Sequence, residues 1–156
     1  MRPTNVREIK KWTSLLKTGR IIPAVGGSDF HSLKLPTRIG NPVNGVWSES
    51  PSDKELLSAI RSGHSFIASS KQAPQLFLRS GDKMMGDTVF ADGKTVGISI
   101  IAENAEKAKL ILVTAKREEP VTADKVSVGA DEVFAYVKAV GKLNQVTAIT
   151  NPIYIR

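Results

Sequence analysis

The residues of this sequence that could do chemistry together are Asp29 and His31, in the stretch IIPAVGGSDFH (21–31). Aspartate and histidine are both common protein ligands of zinc, manganese and iron. On an extended backbone, residues two apart point to the same side, so these two side chains would project together. The pair therefore predicts part of a metal site. A turn-capping aspartate followed by a loop histidine is the alternative interpretation.

A buried strand is predicted to position this pair. Residues 21–25 form a short apolar run that ends at two glycines, a pattern typical of a strand buried on both faces of a parallel sheet. Enzymes of the α/β class place their chemistry at the carboxyl ends of such strands. Asp29 and His31 would lie at such an end.

Helix signals flank this strand in the first half of the chain. A helix is predicted over 4–17, with either of its first two residues as the N-cap. A second helix is predicted to begin at the capping box Ser52–Glu55 and to end at Gly63. Short strands are predicted over 43–48 and 65–69.

Three side chains are candidates for binding an anionic substrate. Lys34 and Arg38 lie in the loop that follows His31, and His64 follows the second helix. Solvated surface positions are the alternative for all three. The first 78 residues hold 11 Lys and Arg against 5 Asp and Glu, and such a basic excess suits a phosphoester substrate.

The second half of the chain has a different pattern. Short apolar stretches, several of them alternating, are separated by turn sequences such as Ser-Gly-Asp and Asp-Gly, with no helix signal between them. The predicted strands are 76–78, 88–90, 96–102, 110–115, 132–140 and 145–150. This spacing predicts an antiparallel β-sandwich over 73–156, after an α/β segment over 1–72.

Composition excludes several classes of protein. The chain has 156 residues, a net charge of +7 and no cysteine, which rules out disulfides and thiolate metal sites. No apolar run approaches the ~20 residues of a membrane span, and no signal peptide is visible, so a cytoplasmic location is the default expectation. Basic clusters are no longer than two residues and aromatics are few, so neither nucleic acid nor membrane is expected as a partner.

The order of these motifs resembles the C-terminal part of PHP (polymerase and histidinol phosphatase) superfamily metallohydrolases of the CehA/McbA-like branch. The matching segments run from about residue 10 to residue 155. In order they are WTSLLKTGR, AVGGSDFH, IGNPVNGVWSES, DKELLSAIRSGHSFIAS, GDTVF and AITNPIYI.

The resemblance implies a mixed α+β chain, in which the end of a PHP-type β/α barrel precedes the β-sandwich. It also implies that Asp29 and His31 bind divalent zinc, manganese or iron, which would activate a water to attack a phosphoester. The family's N-terminal His-x-His motif has no counterpart here, since the chain holds only two histidines. The expectation is therefore a C-terminal fragment of a metal-dependent phosphoesterase, incomplete as a catalyst alone, in which the metal could be absent.

Two alternatives remain open from the residues. The chain could be a non-catalytic β-sandwich that serves as a binding or structural module, or a second chain could complete the metal site. Self-association is also predicted, because a buried strand over 21–25 would leave an apolar edge unpaired.

Overall fold

The computed structural model describes residues 3–31 and 39–156, with side chains from Val6 onward. The described residues form two α-helices, α1 (Pro3–Leu16) and α2 (Asp53–Ser62), two short 3-10 turns and a series of strands. The strands are β1 (Val43–Val46), β2 (Ser65–Ala68), β3 (Gln75–Ser80), β4 (Lys83–Met84), β5 (Thr88–Val89), β6 (Thr95–Glu103), β7 (Lys109–Thr114), β8 (Glu118–Pro120), β9 (Lys125–Gly129), β10 (Phe134–Val140), β11 (Val146–Thr150) and β12 (Ile153–Ile155). Neither helix is long and apolar enough to cross a membrane.

These strands form two sheets. The larger sheet has the order β1-β2-β11-β10-β12-β5, with β7 also paired to β10 and β8 paired to β7. The smaller sheet has the order β4-β3-β6-β9. Pairing is antiparallel throughout except between β12 and β5. The chain is thus a mixed fold built mainly from antiparallel sheets.

One hydrophobic core joins the two sheets. Alternate residues of β3 and β6 point inward, among them Leu76, Leu78 and Ile98, because successive side chains of a strand face opposite sides. They belong to the same buried cluster as Val137 and Ala148 of the larger sheet. This shared core gives the β segment its sandwich-like arrangement.

Helix α1 covers the other face of the larger sheet. Leu16 is fully buried in a second cluster with Tyr136 and Tyr154, and the Trp12 ring lies 5.1 Å from the Tyr136 ring. The Thr13 hydroxyl is 2.9 Å from the Tyr136 hydroxyl. Strand β10 is buried on both faces for this reason, one face in each cluster.

Most predicted elements of the chain are confirmed. Helix α2 begins after Ser52, whose hydroxyl accepts the Glu55 N–H, and it ends at Gly63 with φ 78°. All six strands predicted in the second half are present, at slightly shifted bounds. The short strands β4, β8, β9 and β12 were not predicted, because runs of two to five residues carry little periodicity.

The prediction that residues 21–25 form a strand buried on both faces is wrong. The segment is extended but belongs to neither sheet, and Ile21 and Val25 are 54% and 60% exposed. The backbone N–H and C=O groups of Ile22 and Ala24 bond to side chains and not to a neighbouring strand. The segment therefore satisfies these groups without joining a sheet. Self-association stays a prediction, without this strand edge as its basis.

A parallel barrel piece is not shown. Strands β1 and β2 pair antiparallel, and β2 pairs antiparallel with β11. The predicted division at residues 72 and 73 falls in the connection between β2 and β3, while the larger sheet takes strands from both sides of it.

Candidate functional site

The segment that leads to Asp29 is held at every second residue by side chains from α1, β1, β12 and the connection between β11 and β12. At Ile22, the indole N–H of Trp12 donates to the carbonyl oxygen at 2.7 Å, and the backbone N–H donates to the Tyr154 hydroxyl at 3.0 Å. Burial raises the pKa of Tyr154 to about 12, so its hydroxyl stays protonated at neutral pH.

Asn151 holds the next position. The Ala24 N–H donates to Asn151 Oδ1 at 2.6 Å, and Asn151 Nδ2 donates back to the Ala24 carbonyl at 3.1 Å. The same Nδ2 is 3.0 Å from both the carbonyl and the hydroxyl oxygen of Ser65. Asn151 is 1% exposed, so these bonds satisfy an amide that has no access to water.

Asn44 repeats this arrangement two residues further on. The Gly26 N–H donates to Asn44 Oδ1 at 2.7 Å, and Asn44 Nδ2 donates to the Gly26 carbonyl at 2.8 Å. A Cβ at Gly26 would lie 2.6 Å from Ile67 Cγ2 and 3.1 Å from Pro42 Cγ, so any larger residue would have to displace these side chains. We call the bonds to Ile22, Ala24 and Gly26 the side-chain ladder.

Beyond the ladder, Asp29 and His31 lie side by side. Asp29 has a φ of 52°, a left-handed conformation that aspartate adopts more readily than most residues. His31 Nδ1 donates to the Asp29 carbonyl at 2.8 Å, and His31 Nε2 is 3.5 Å from Asp29 Oδ1. Both side chains are exposed.

This geometry fits two ligands of one cation. With Nδ1 donating to the Asp29 carbonyl, His31 leaves Nε2 within 3.5 Å of a carboxylate oxygen, a contact that a proton or a cation between the two atoms would make favourable. Two ligands of a tetrahedral zinc ion lie about 3.4 Å apart, close to the separation seen here. Fixing Nδ1 on a backbone carbonyl is also how metal-binding histidines are commonly oriented.

No third ligand is present in the described part of the chain. Residues 3–31 and 39–156 contain no group of three or more His, Asp or Glu side chains placed to hold a metal ion. Lys34 and Arg38, the predicted anion-binding residues of the loop, lie outside the described residues. Their predicted role is therefore untested.

His64 lies in a separate pair with Asp87. Its Nε2 is 2.9 Å from Asp87 Oδ1, and the backbone N–H of Met84 donates to Asp87 Oδ2 at 2.9 Å. Among the described interactions, His64 makes no hydrogen bond or ion pair with Asp29 or His31. Substrate binding by His64 stays a prediction, while its observed contact joins the end of α2 to the turn before β5.

The His64–Asp87 pair is expected to make stability depend on pH. Burial by itself would raise the pKa of Asp87, but the Met84 N–H, His64 and Lys83 together outweigh it and lower the pKa. A lowered pKa stabilises the fold above the unfolded aspartate value of about 3.9, and the stabilisation is lost as pH falls through the folded value. Asp87→Asn should therefore lower the urea midpoint at neutral pH, with a smaller difference from wild type in acid.

Asp82→Asn is the matched control, because Asp82 is an exposed aspartate in the same region that pairs only loosely with Lys83. Its midpoint should follow wild type across the pH range. An Asp87→Asn variant with an equal loss at every pH would show that the carboxylate charge is not what stabilises this contact.

An open groove borders the candidate site. It has a volume of about 410 Å³ and runs between α1 and the 24–27 segment, with Ile9, Trp12 and Ile149 among its apolar lining residues. Gly27, two residues before Asp29, also lines it. The groove therefore reaches the chain that carries the two candidate ligands.

Sequence reasoning did not identify Asn44 and Asn151 as part of the site. A signal was present: Asn44 lies in the strand sequence VNGV, and Asn151 follows β11 directly in the mostly apolar sequence AITNPIYI. A polar side chain in such a position needs a partner when the strand is buried. What the sequence could not give was the identity of that partner, a backbone segment more than 120 residues away from Asn151.

Comparison with known proteins does not assign the site. No family model matches this chain, and no match was found among curated proteins or solved structures. The functional interpretation therefore depends on the geometry of Asp29 and His31 and on the order of motifs in the sequence.

Proposed function

We propose that this chain is part of a metal-dependent phosphoesterase of the PHP type, and that Asp29 and His31 are two ligands of its divalent metal ion. The observation that carries the proposal is the 3.5 Å approach of His31 Nε2 to Asp29 Oδ1, with Nδ1 already engaged by the Asp29 carbonyl. The order of motifs that resembles this family supports the same assignment.

The two residues fit zinc, manganese or iron, each of which accepts carboxylate oxygen and imidazole nitrogen. A divalent ion bound here supplies polarisation of a phosphoryl oxygen and a water of lowered pKa. Asp29 would contribute a carboxylate oxygen and His31 an imidazole nitrogen to that ion. The net charge of +7 favours an anionic substrate, such as a phosphoester.

Two ligands do not complete such a site. Catalytic zinc sites commonly have three protein ligands and one open position. Residues 1–2 and 32–38, which lie outside the described part of the chain, hold no His, Asp or Glu, so the remaining ligands would come from water or from another polypeptide. The chain by itself is therefore expected to bind metal weakly and to be incomplete as a catalyst.

Zinc titration monitored by NMR of the imidazole protons tests the proposal. The chain has only two histidines, so the signals are readily assigned with a His64→Gln variant. Zinc should shift His31 and leave His64 unchanged, and Asp29→Ala should weaken binding at least about tenfold, or 1.4 kcal/mol.

Asp82→Ala serves as the control for loss of an exposed carboxylate and should leave the zinc shift of His31 unchanged. Zinc affinity that is the same in wild type and in the Asp29→Ala/His31→Ala double variant would contradict the proposal. Folding of the double variant should be unaffected, since both side chains are exposed and bond only to each other among the described residues.

A second candidate function is a non-catalytic binding module, and one surface favours it. Trp47 is 46% exposed and stands over a pocket of about 280 Å³ on the smaller sheet, edge-to-face with Phe77. The Arg79 guanidinium lies 4.9 Å from the centre of the Trp47 ring. A Trp47→Ala variant that loses a binding partner while the zinc response of His31 persists would favour this alternative.

A further inference from the structure

We propose that Asn44 is a positioning residue for the candidate metal ligands: it fixes Gly26 by two hydrogen bonds, and this sets where Asp29 and His31 stand. This inference rests on the proposed function. It assigns a role at the site to Asn44, whose side chain bonds Gly26 and acts on the candidate ligands only through the backbone.

The side-chain hydrogen bonds that restrain the segment end at Gly26. Ile22, Ala24 and Gly26 each have both backbone groups bonded by the side-chain ladder. Gly27 follows, and a Cβ there would meet nothing within 4 Å. Asn44 is therefore the last side chain of the ladder before the segment turns into the Asp29–His31 pair.

The chemistry of the amide fits this task. A primary amide carries an acceptor oxygen and donor hydrogens, so one side chain can bond both the N–H and the C=O of a single residue. That two-point contact fixes the direction of the Gly26 peptide groups as well as their position. An alanine would make neither bond, and an aspartate would keep only the bond to the N–H.

Asn44 is exposed whereas Asn151 is buried, so substitution of Asn44 can test positioning of the ligands without disturbing the fold. Asn151 is buried and also bonds Ser65, so its loss would affect the sheet. Asn44 is exposed on the edge strand β1, and water can replace its bonds to Gly26 when it is removed. Removing Asn44 should therefore free the segment while leaving the fold intact.

The test measures zinc affinity at His31 and hydrogen exchange at the Gly26 amide in wild type and in Asn44→Ala. We expect zinc affinity to fall severalfold, less than the roughly tenfold or greater cost of losing a group bonded directly to a ligand, because Asn44 acts through Gly26. Exchange at Gly26 should become faster, and the thermal midpoint should stay within a few degrees of wild type. Asn44→Asp should restore slow exchange at Gly26, because the acceptor remains.

Gln72→Ala is the control, since Gln72 is exposed and makes no hydrogen bond to the segment among the interactions of the described residues. Faster Gly26 exchange with unchanged zinc affinity in Asn44→Ala would overturn the positioning role and leave the proposed function standing. Absence of zinc binding in wild type would instead overturn the proposed function, and the positioning role with it. The two failures are therefore distinguishable.

Discussion

Replacing Gly86 by alanine is expected to destabilise the protein by at least about 3 kcal/mol, among the largest effects of any single substitution. A Cβ at this position would lie 2.1 Å from the carbonyl oxygen of Ser62 and 2.7 Å from the carbonyl carbon of Gly63. Both are backbone atoms at the end of α2, which cannot move aside as a flexible side chain could. The φ of 97° adds further strain for any residue with a side chain.

The position matters because Gly86 lies where three elements meet. Its N–H donates to the Pro152 carbonyl at 2.6 Å, just before β12, and the next residue, Asp87, pairs with His64. A shift of Gly86 would therefore separate the end of α2 from the larger sheet. Urea unfolding followed by circular dichroism gives the free energy of unfolding that checks this expectation.

Gly81→Ala is the matched control for this measurement. Gly81 also has a positive φ, of 61°, but a Cβ there would meet nothing within 4 Å. Its substitution should cost only the left-handed backbone term, about 1–2 kcal/mol. Equal losses for Gly81→Ala and Gly86→Ala would show that the close approach to Ser62 does not limit the fold.

Replacing Asn151 by alanine is expected to cost about 2–4 kcal/mol of unfolding free energy, because several buried polar groups would lose their partner at once. These groups are the N–H and carbonyl of Ala24 and the hydroxyl of Ser65, while the Ser65 carbonyl keeps the bond from the backbone N–H of residue 151. The bonds tie the segment before the candidate ligands to the start of β2. Zinc binding at His31 should weaken in the same variant.

The Asn151→Asp variant tests the same point through pH. An aspartate keeps the acceptor for the Ala24 N–H but places a carboxylate against the carbonyls of Ala24 and Ser65. Burial and these oxygens should raise its pKa, so the variant should be least stable at neutral pH and recover as pH falls and the acid can donate.

The control for both Asn151 variants is Gln145→Ala, an exposed amide just before β11. It should change the unfolding free energy by no more than about 0.5 kcal/mol. An Asn151→Ala variant as stable as Gln145→Ala, with amide exchange at Ala24 unchanged, would mean that these buried bonds contribute nothing to the fold.

Local signals were sufficient for the elements whose ends and faces are set by near neighbours. The N-cap at Ser52 and the left-handed Gly63 fix α2 within a few residues of sequence, and both were predicted. Alternation along β6 and β10 predicted their inward faces. The outward face of β10, with Phe134 and Tyr136 against α1, required knowledge of where the helix packs.

The candidate site was likewise predictable only in part. The spacing of Asp29 and His31 predicted that their side chains project together, and the structure brings Asp29 Oδ1 and His31 Nε2 to 3.5 Å, while their role as metal ligands stays a prediction. The backbone is not extended here as expected. Asp29 has a positive φ, and the imidazole of His31 is oriented by its bond to the Asp29 carbonyl. Spacing alone cannot distinguish these two ways of bringing side chains together.

The sequence by itself determined the residue types at the candidate site, the helix α2 and most strands, because each depends on patterns within about ten residues. Only the tertiary structure decided that residues 21–25 join no sheet, that Asn151 bonds Ala24 and that Asn44 bonds Gly26. Whether a backbone N–H finds a strand or a distant amide depends on which groups the whole fold brings within hydrogen-bond distance. The apolar run at 21–25 is compatible with both outcomes, so it could not distinguish between them.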